Sequence, residues 1–262
     1  MKKFLLISII FFISFFAYPE SIKIIDVIGR VYVKVLPTSS YEVAKIGMEL
    51  NKDSEIKTES SSVCTIVFDN NPNNVLTVKE NTQIVIKKLK PVNLYLLNGN
   101  IFALVRDIKD VEEFKVQTPN AITGVRGTGE GINFINSNTQ VLCFEGSIEV
   151  DSFDPSGNKK DSKILNENEG ISVSSDGSFS EIFPIEKEDL EDWQNFLEYL
   201  STLNNNEDTD KDNKDNFKDI MEEKKDSYRE SNLEENRREE QEEDTVVDDG
   251  GKYTTPPGGG GY

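Results

Sequence analysis

The chain has 262 residues, a formal net charge of −19 at pH 7 and no histidine. The lack of histidine excludes Ser-His-Asp and Cys-His catalysis and removes the commonest metal ligand. The acidic balance disfavours nucleic acid and anionic membrane surfaces as partners, because both would repel the chain. We therefore expect a non-enzymatic protein without cofactor or metal, with carboxylate chemistry as the remaining alternative.

The N-terminus has the pattern of an export signal. Lys2 and Lys3 precede an apolar run at 4–16, and small or turn-forming residues follow from Ala17. A run of this length is typical of a signal peptide and is too short for a comfortable membrane span. We predict a signal peptide at 1–17 and an extracytoplasmic mature chain, periplasmic, secreted or at the cell surface, without an integral membrane span. An uncleaved membrane anchor is the alternative.

The only cysteines are Cys64 and Cys143. Export would permit a disulfide between them. However, Cys64 shares one face of an alternating segment with Ile66 and Phe68, which favours a buried free thiol. The sequence leaves the pairing open.

A β-rich pattern runs from 21 to 185, where short stretches of β-branched and aromatic residues are separated by Gly, Asn, Asp and Pro. It predicts one all-β domain, an antiparallel or mixed β-sandwich or β-roll of many short strands. Asn98-Gly99 lies between two apolar stretches and predicts a two-residue hairpin. The turn-forming residues at 154–157 and 176–177 predict two further reversals.

Two different segments follow this domain. From 186 to 203 the apolar residues recur at spacings of three and four, which predicts an amphipathic helix. Its apolar stripe consists of Leu190, Trp193, Phe196, Leu197, Leu200 and Leu203. The stripe either packs on the β-domain or forms a docking helix anchored by Trp193. The charged segment 204–262 is predicted to be a disordered acidic tail, because it has too few apolar residues to form a core.

The segment 118–128 reads Thr-Pro-Asn-Ala-Ile-Thr-Gly-Val-Arg-Gly-Thr. Pro119 should end a strand because it cannot donate a backbone hydrogen bond. Gly124 and Gly127 should allow a tight reversal. Arg126 either fixes this turn through its guanidinium or binds an anionic ligand. The segment lacks the Gly-Lys-Ser/Thr ending of a phosphate-binding loop, so we expect no nucleotide site.

Other polar groups give weaker signals. The oxygen-rich turn at 69–74 lacks the ligand spacing of a calcium loop. The carboxylate pairs Glu112-Glu113 and Glu167-Glu169 cannot be assigned to acid–base catalysis without a pocket around them. We interpret all three as surface features.

The segment 118–128 resembles the hallmark of the FecR-domain family, in which a Thr-Pro-x-Ala stretch runs into Val-Arg-Gly-Thr. Residues 143–150 resemble the family's Glu-Gly-x-Val-x-Val ending, and the whole resemblance covers roughly 24–174. The residues that carry it, which we interpret as structural, are Thr118, Pro119, Ala121, Gly124, Val125, Arg126, Gly127, Thr128, Glu145 and Gly146.

The resemblance implies a signalling background. The best understood family members are regulators that pass an iron-transport signal across the inner membrane, with a cytoplasmic anti-sigma segment, a spanning helix and a periplasmic domain. Here we expect the module to follow the export signal directly. We therefore predict a non-enzymatic exported binding or interaction module of the bacterial cell envelope, whose partner is an envelope protein or a cell-wall component. The alternatives are an extracytoplasmic sensor half with a separate membrane partner and a carboxylate-based envelope glycan enzyme.

Overall fold

The computed structural model describes residues 22–68, 74–106, 113–125 and 127–205. Residues 204 and 205 are described by their backbone only. Within these ranges seventeen strands precede one helix, α1 (Lys187–Asn205). The strands are β1 (Ile22–Ile28), β2 (Val31–Lys34), β3 (Glu42–Val43), β4 (Glu49–Leu50), β5 (Glu55–Thr58), β6 (Val63–Val67), β7 (Asn74–Val78), β8 (Gln83–Leu89), β9 (Val92–Val105), β10 (Phe114–Gln117), β11 (Ala121–Val125), β12 (Thr128–Ile135), β13 (Asn138–Glu145), β14 (Ser147–Phe153), β15 (Lys159–Asn166), β16 (Glu169–Val173) and β17 (Phe183–Pro184). The predicted all-β class followed by a helix is confirmed. The predicted signal peptide and residues 206–262 of the predicted tail lie outside the described residues.

The strands form two sheets that share β9. Sheet I has the order β4-β1-β6-β7-β9-β12-β13-β16-β17. Sheet II has the order β3-β2-β5-β8-β9-β10-β11-β14-β15. Neighbouring strands are antiparallel except β9 and β10, which are parallel. Sheet II is therefore mixed, because β10 pairs in parallel with the first residues of β9.

The predicted hairpin at Asn98-Gly99 is wrong. Strand β9 continues through both residues, and Asn98 pairs with β8 in sheet II while Gly99 pairs with β12 in sheet I. Gly99 has a φ of +101°, and a Cβ atom there would lie 2.2 Å from the Thr82 hydroxyl oxygen. Glycine therefore marks a bend with close backbone approach, where the strand passes from one sheet to the other.

The two later reversals are confirmed. The Gly157 amide donates to the Asp154 carbonyl (2.9 Å) in the turn between β14 and β15. The Gly177 amide donates to the Ser174 carbonyl (2.8 Å) after β16. Their turn chemistry is local, so the sequence sufficed to predict them.

The inward-facing residues of the two sheets form one hydrophobic core. Both cysteines lie in it and both are free thiols. Burial raises the pKa of Cys143 to about 12 and that of Cys64 further. The thiolate is the reactive form of cysteine, so both thiols should be inert in the folded chain.

The chain divides into two compact units, Met1–Leu197 and Glu198–Tyr262. In the first unit, α1 begins with the acidic residues Glu188 and Asp189, which interact favourably with the positive end of the helix dipole. Of the second unit, the structure describes only the last turns of α1, which include Leu200. No helix in the described ranges is long and apolar enough to cross a membrane.

Candidate functional site

The first half of the signature segment forms the connection between β10 and β11. The Thr118 amide donates to the Ala121 carbonyl (2.8 Å), and the Ala121 amide donates to the Thr118 hydroxyl oxygen (3.0 Å). Pro119 and Asn120 occupy the two positions between them, and β10 ends at Gln117. The Thr-Pro-x-Ala pattern therefore encodes a compact turn.

The Asn120 side chain ties this turn to sheet I. Its amide nitrogen donates to the carbonyls of Val173 (2.9 Å) and Ser174 (2.8 Å) at the end of β16. Its carbonyl oxygen accepts from the Thr139 hydroxyl of β13 (2.5 Å), and the Thr118 and Thr139 hydroxyls lie 2.7 Å apart. All three polar side chains are buried, so each bond satisfies a group that water cannot reach.

The second half of the signature crosses from sheet II to sheet I. Gly124 lies inside β11, paired with Lys115 and Glu149, so it is not part of a reversal. Gly127 adopts a φ of +73° just before β12 begins at Thr128. Arg126 lies outside the described residues, so both interpretations of its guanidinium stay predictions.

The structure brings the two motifs of the resemblance into contact. A Cβ atom on Gly146 would lie 2.7 Å from the Gly127 carbonyl oxygen and 2.9 Å from a Thr128 methyl carbon. Beside them, the two carboxylate oxygens of Glu145 accept from one Arg106 guanidinium nitrogen (3.0 and 3.1 Å). The two glycine positions thus pack on each other.

Sequence reasoning missed the buried carboxyl group of Glu130. This side chain is fully buried on β12, and neither carboxyl oxygen has a hydrogen-bond partner among the described residues. Burial raises the pKa of Glu130 to about 8, although the nearby Thr123 hydroxyl lowers it somewhat. That hydroxyl donates to the Val116 carbonyl (3.4 Å) and not to Glu130. The Glu130 carboxyl group is inaccessible to solvent and largely protonated, so it cannot act on a substrate in solution unless the domain opens.

Strand alternation could have revealed this group. Thr128, Glu130 and Ile132 occupy every second position of β12 and share its inward face. A carboxyl in such a row is the informative exception to an apolar core. Cys143 lies directly opposite Glu130 on β13, and after burial the Glu130 carboxylate is the largest influence that raises the pKa of this thiol.

The outer face of sheet I is covered by the first part of α1. The Trp193 ring, 2% exposed, stacks on Phe144 (4.6 Å between ring centroids, 3° between planes) and meets Phe102 edge-on (5.7 Å). A Cβ atom on Gly129 would lie 2.3 Å from the Trp193 ring, and one on Gly131 would lie 2.9 Å from Phe144. Gly129 and Gly131, which follow the signature segment and have no side chain, therefore leave room for the aromatic rings.

An ion pair supports this contact. The Lys79 ammonium lies 3.0 Å from Asp192 and 4.3 Å from the centre of the Phe102 ring. Trp193, which the docking interpretation treats as the anchor, is thus engaged within the first unit, and Phe196 packs beside it (5.0 Å). Leu190 and Leu197 are only partly buried on the same helix.

The outer face of sheet II is partly exposed along its central strands. Paired residues on neighbouring strands share a face, so their side chains form rows across the sheet. One row crosses β8 to β14 through Val85, Tyr95, Gln117, Ile122 and Asp151. The next row crosses β9 to β14 through Asn93, Lys115, Gly124 and Glu149. All nine residues are partly or fully exposed, and we name them the open face.

Gly124 is the exceptional member of the open face. No atom of the described residues would lie within 4 Å of a Cβ atom there, and its φ is outside the left-handed region. Neither packing against the described residues nor backbone conformation therefore requires glycine at this signature position.

The remaining polar groups do not converge. Glu169 accepts from the Asn166 amide (2.7 Å) and so fixes the turn between β15 and β16. Glu112 and residues 69–73 lie outside the described residues. Within the described ranges, no group of three or more His, Cys, Asp or Glu side chains could hold a metal ion.

The fold is an all-β module whose two sheets share β9. The signature segment connects them a second time, because it leads from β11 of sheet II to β12 of sheet I. Residues 54–149 match the family model described as FecR protein, so the resemblance to the FecR-domain family is confirmed for this segment. Two crystal structures of a candidate anti-sigma factor from Parabacteroides distasonis are similar at 17% identity and a TM-score of 0.43. Each match covers 53% of this chain and 64% or 63% of the other, so this chain spans less than two thirds of that protein. Among curated proteins, none matches the sequence.

Proposed function

We propose that this chain is a non-enzymatic, exported FecR-like interaction module of the bacterial cell envelope, which binds an envelope protein or a cell-wall component through the open face. The FecR match supports a signalling-related module. The signal-like pattern at 1–17 supports export. The observation that carries the binding site is Gly124, a partly exposed glycine in the middle of β11 with no atom of the described residues within 4 Å of a Cβ atom there.

Glycine inside a strand weakens the strand, because it has no side chain to pack and loses more backbone entropy on folding. Where a turn, a positive φ or a close internal contact requires glycine, this loss has a structural reason. Within the part of the chain that the structure describes, Gly124 meets none of these conditions. Glycine in a strand also marks sites where a partner approaches the backbone closely, and this is the role that we assign to Gly124.

The surroundings of Gly124 suit a partner with both charged and apolar groups. Lys115 and Glu149 flank it on the two neighbouring strands, and Ile122 lies two residues away on the same strand. The Tyr95 ring adds a partly exposed aromatic surface in the adjacent row. Aromatic side chains with a polar tip are enriched at interfaces.

Affinity capture from the native cell envelope tests this function. The full chain and a Gly124→Thr variant serve as baits, and Ile135→Thr serves as the control, because Ile135 is an exposed strand residue of sheet I. We expect the Gly124 variant to lose a partner that the wild type and the control retain. Equal capture by all three baits would refute binding through the open face.

The same experiment addresses the sensor alternative, which the FecR match favours. Recovery of a single integral-membrane protein with wild type, lost with Gly124→Thr, would identify the chain as a sensor half. Recovery of cell-wall material with the same dependence would identify an envelope-binding module.

A further inference from the structure

Exposed apolar residues concentrate in one short segment. Eight large hydrophobic side chains are exposed among the described residues, and four of them fall within 36–46: Leu36, Tyr41, Val43 and Ile46. We name these four residues the edge patch. Single exposed apolar residues are normal on a soluble domain, but several in one short segment favour an interaction surface.

The edge patch lies along the side of the domain where β3 and β4 form the edges of the two sheets. It is held to the body of the domain. The Tyr41 hydroxyl donates to the Glu55 carboxylate, which also pairs with the Lys34 ammonium (2.7 Å). The Ala44 amide donates to the Val31 carbonyl (2.9 Å). The exposure of Val43, 60%, therefore belongs to an ordered surface.

The edge patch also lies beside the point where the chain enters the domain. The Gly47 amide donates to the Ile24 carbonyl (2.8 Å), and the Ile24 amide donates to the Met48 carbonyl (3.0 Å). Ile46 is therefore adjacent to the start of β1. The apolar run at 4–16 precedes it by only the five residues 17–21. Five residues span at most about 18 Å when fully extended.

We propose that, in the chain that retains residues 1–21, the edge patch lies against a lipid bilayer. If the run at 4–16 enters the bilayer, the short connection holds Ile46 within reach of the same surface. Apolar side chains at a membrane interface gain from burial whatever the net charge of the chain, so the acidic composition opposes anionic lipids only. Lys45, next to Ile46, can keep its ammonium group at the headgroup level while its stem lies on apolar surface. The surface is distinct from the open face and goes beyond the function proposed above.

The test measures where the edge patch lies. The full chain is reconstituted in phosphatidylcholine vesicles with a polarity-sensitive fluorophore on Val43→Cys, on Ile46→Cys or, as the matched control, on Ile164→Cys. Ile164 is 64% exposed on β15, at the opposite edge of sheet II. The native thiols are buried and have raised pKa values, so labelling should be confined to the introduced cysteine.

We expect blue-shifted emission and loss of quenching by aqueous iodide for the labels at 43 and 46, and full quenching for the label at 164. Equal quenching at all three positions would overturn the proposal, and so would failure of the full chain to associate with the vesicles. Protection at 43 that depends on protein concentration and not on lipid would assign the edge patch to a second copy of the chain instead. None of these results depends on Gly124, so they are independent of the proposed envelope partner.

Discussion

The outer faces of the two sheets use glycine in opposite ways. On sheet I, Gly129 and Gly131 have no room for a side chain, because aromatic rings of α1 and of the sheet itself occupy the space. On sheet II, none of the described residues would come within 4 Å of a Cβ atom on Gly124. The comparison teaches that packing accounts for the glycines of sheet I, whereas it leaves Gly124 without a reason inside the described structure, which is why we propose a partner there.

The largest expected effect concerns Glu130, which lies on the inward face of the strand that carries Gly129 and Gly131. Glu130 has a pKa of about 8 in the folded chain, against an ordinary value of 4.5. The folded state therefore binds one more proton than the unfolded state between these values. The contribution of Glu130 to the free energy of unfolding is complete below about pH 4.5 and falls by about 1.4 kcal/mol per pH unit up to about pH 8.

Urea unfolding of wild type and Glu130→Gln at a series of pH values measures this slope. The difference between the two proteins should be small at pH 5 and should grow steadily in favour of the variant towards pH 8. Other titrating groups cancel in the difference. A constant difference across this range would show that Glu130 is ionised and paired in the folded chain.

A second substitution removes the ring that covers sheet I. Trp193→Ala should lower the free energy of unfolding by about 3–5 kcal/mol, because a large buried aromatic side chain and its stacking on Phe144 are lost. Urea unfolding followed by circular dichroism measures the loss. Trp193→Phe, which keeps a ring on Phe144, is the control and should lose less. A loss within about 0.5 kcal/mol, the range of ordinary surface substitutions, would mean that sheet I does not depend on the helix.

A third substitution overfills sheet I without removing any contact. Gly129→Ala places a methyl group 2.3 Å from the Trp193 ring, so the ring must shift. We expect a loss of about 1–3 kcal/mol and an altered Trp193 fluorescence in the folded state. Gly124→Ala is the same chemical change on sheet II. If both substitutions lowered stability equally, the difference that we describe between the two outer faces would be contradicted.

The smallest effect concerns stability at the open face. Gly124→Thr adds a strand-forming side chain in open space, so stability should stay within about 1 kcal/mol of wild type, with a gain favoured. Thermal unfolding measures the change. A loss well beyond that range would show that the fold itself requires this glycine, and capture experiments with the variant would then report misfolding.

Sequence reasoning predicted the parts of this fold that depend on neighbouring residues. The turns at 154–157 and 176–177 form where Gly and Asp predict them, and the helix predicted at 186–203 extends over Lys187–Asn205. The hairpin at Asn98-Gly99 fails for a tertiary reason. The approach of Thr82 and the pairing of β9 with both sheets replace the local turn that the dipeptide favours by itself.

The candidate site divides in the same way. The Thr-Pro pair of the signature segment correctly predicted the end of a strand at Thr118 and Pro119, because proline has no backbone N–H to donate to a neighbouring strand. The contact between Gly127 and Gly146 was not predictable from either motif alone, because it depends on how β12 and β13 pair. The role that we propose for Gly124 was equally hidden, since only the tertiary structure shows that Gly129 has a ring over it and that Gly124 has none among the described residues.

The sequence by itself determined the β class, the position of the helix and several turns, because alternation, helical period and turn chemistry act over a few residues. The tertiary structure decided which faces are covered, which glycines are filled and that Glu130 is buried with a raised pKa. These properties depend on strands that are distant in sequence and pair across the two sheets. The burial of a side chain is set by what packs over it, and no local pattern contains that partner.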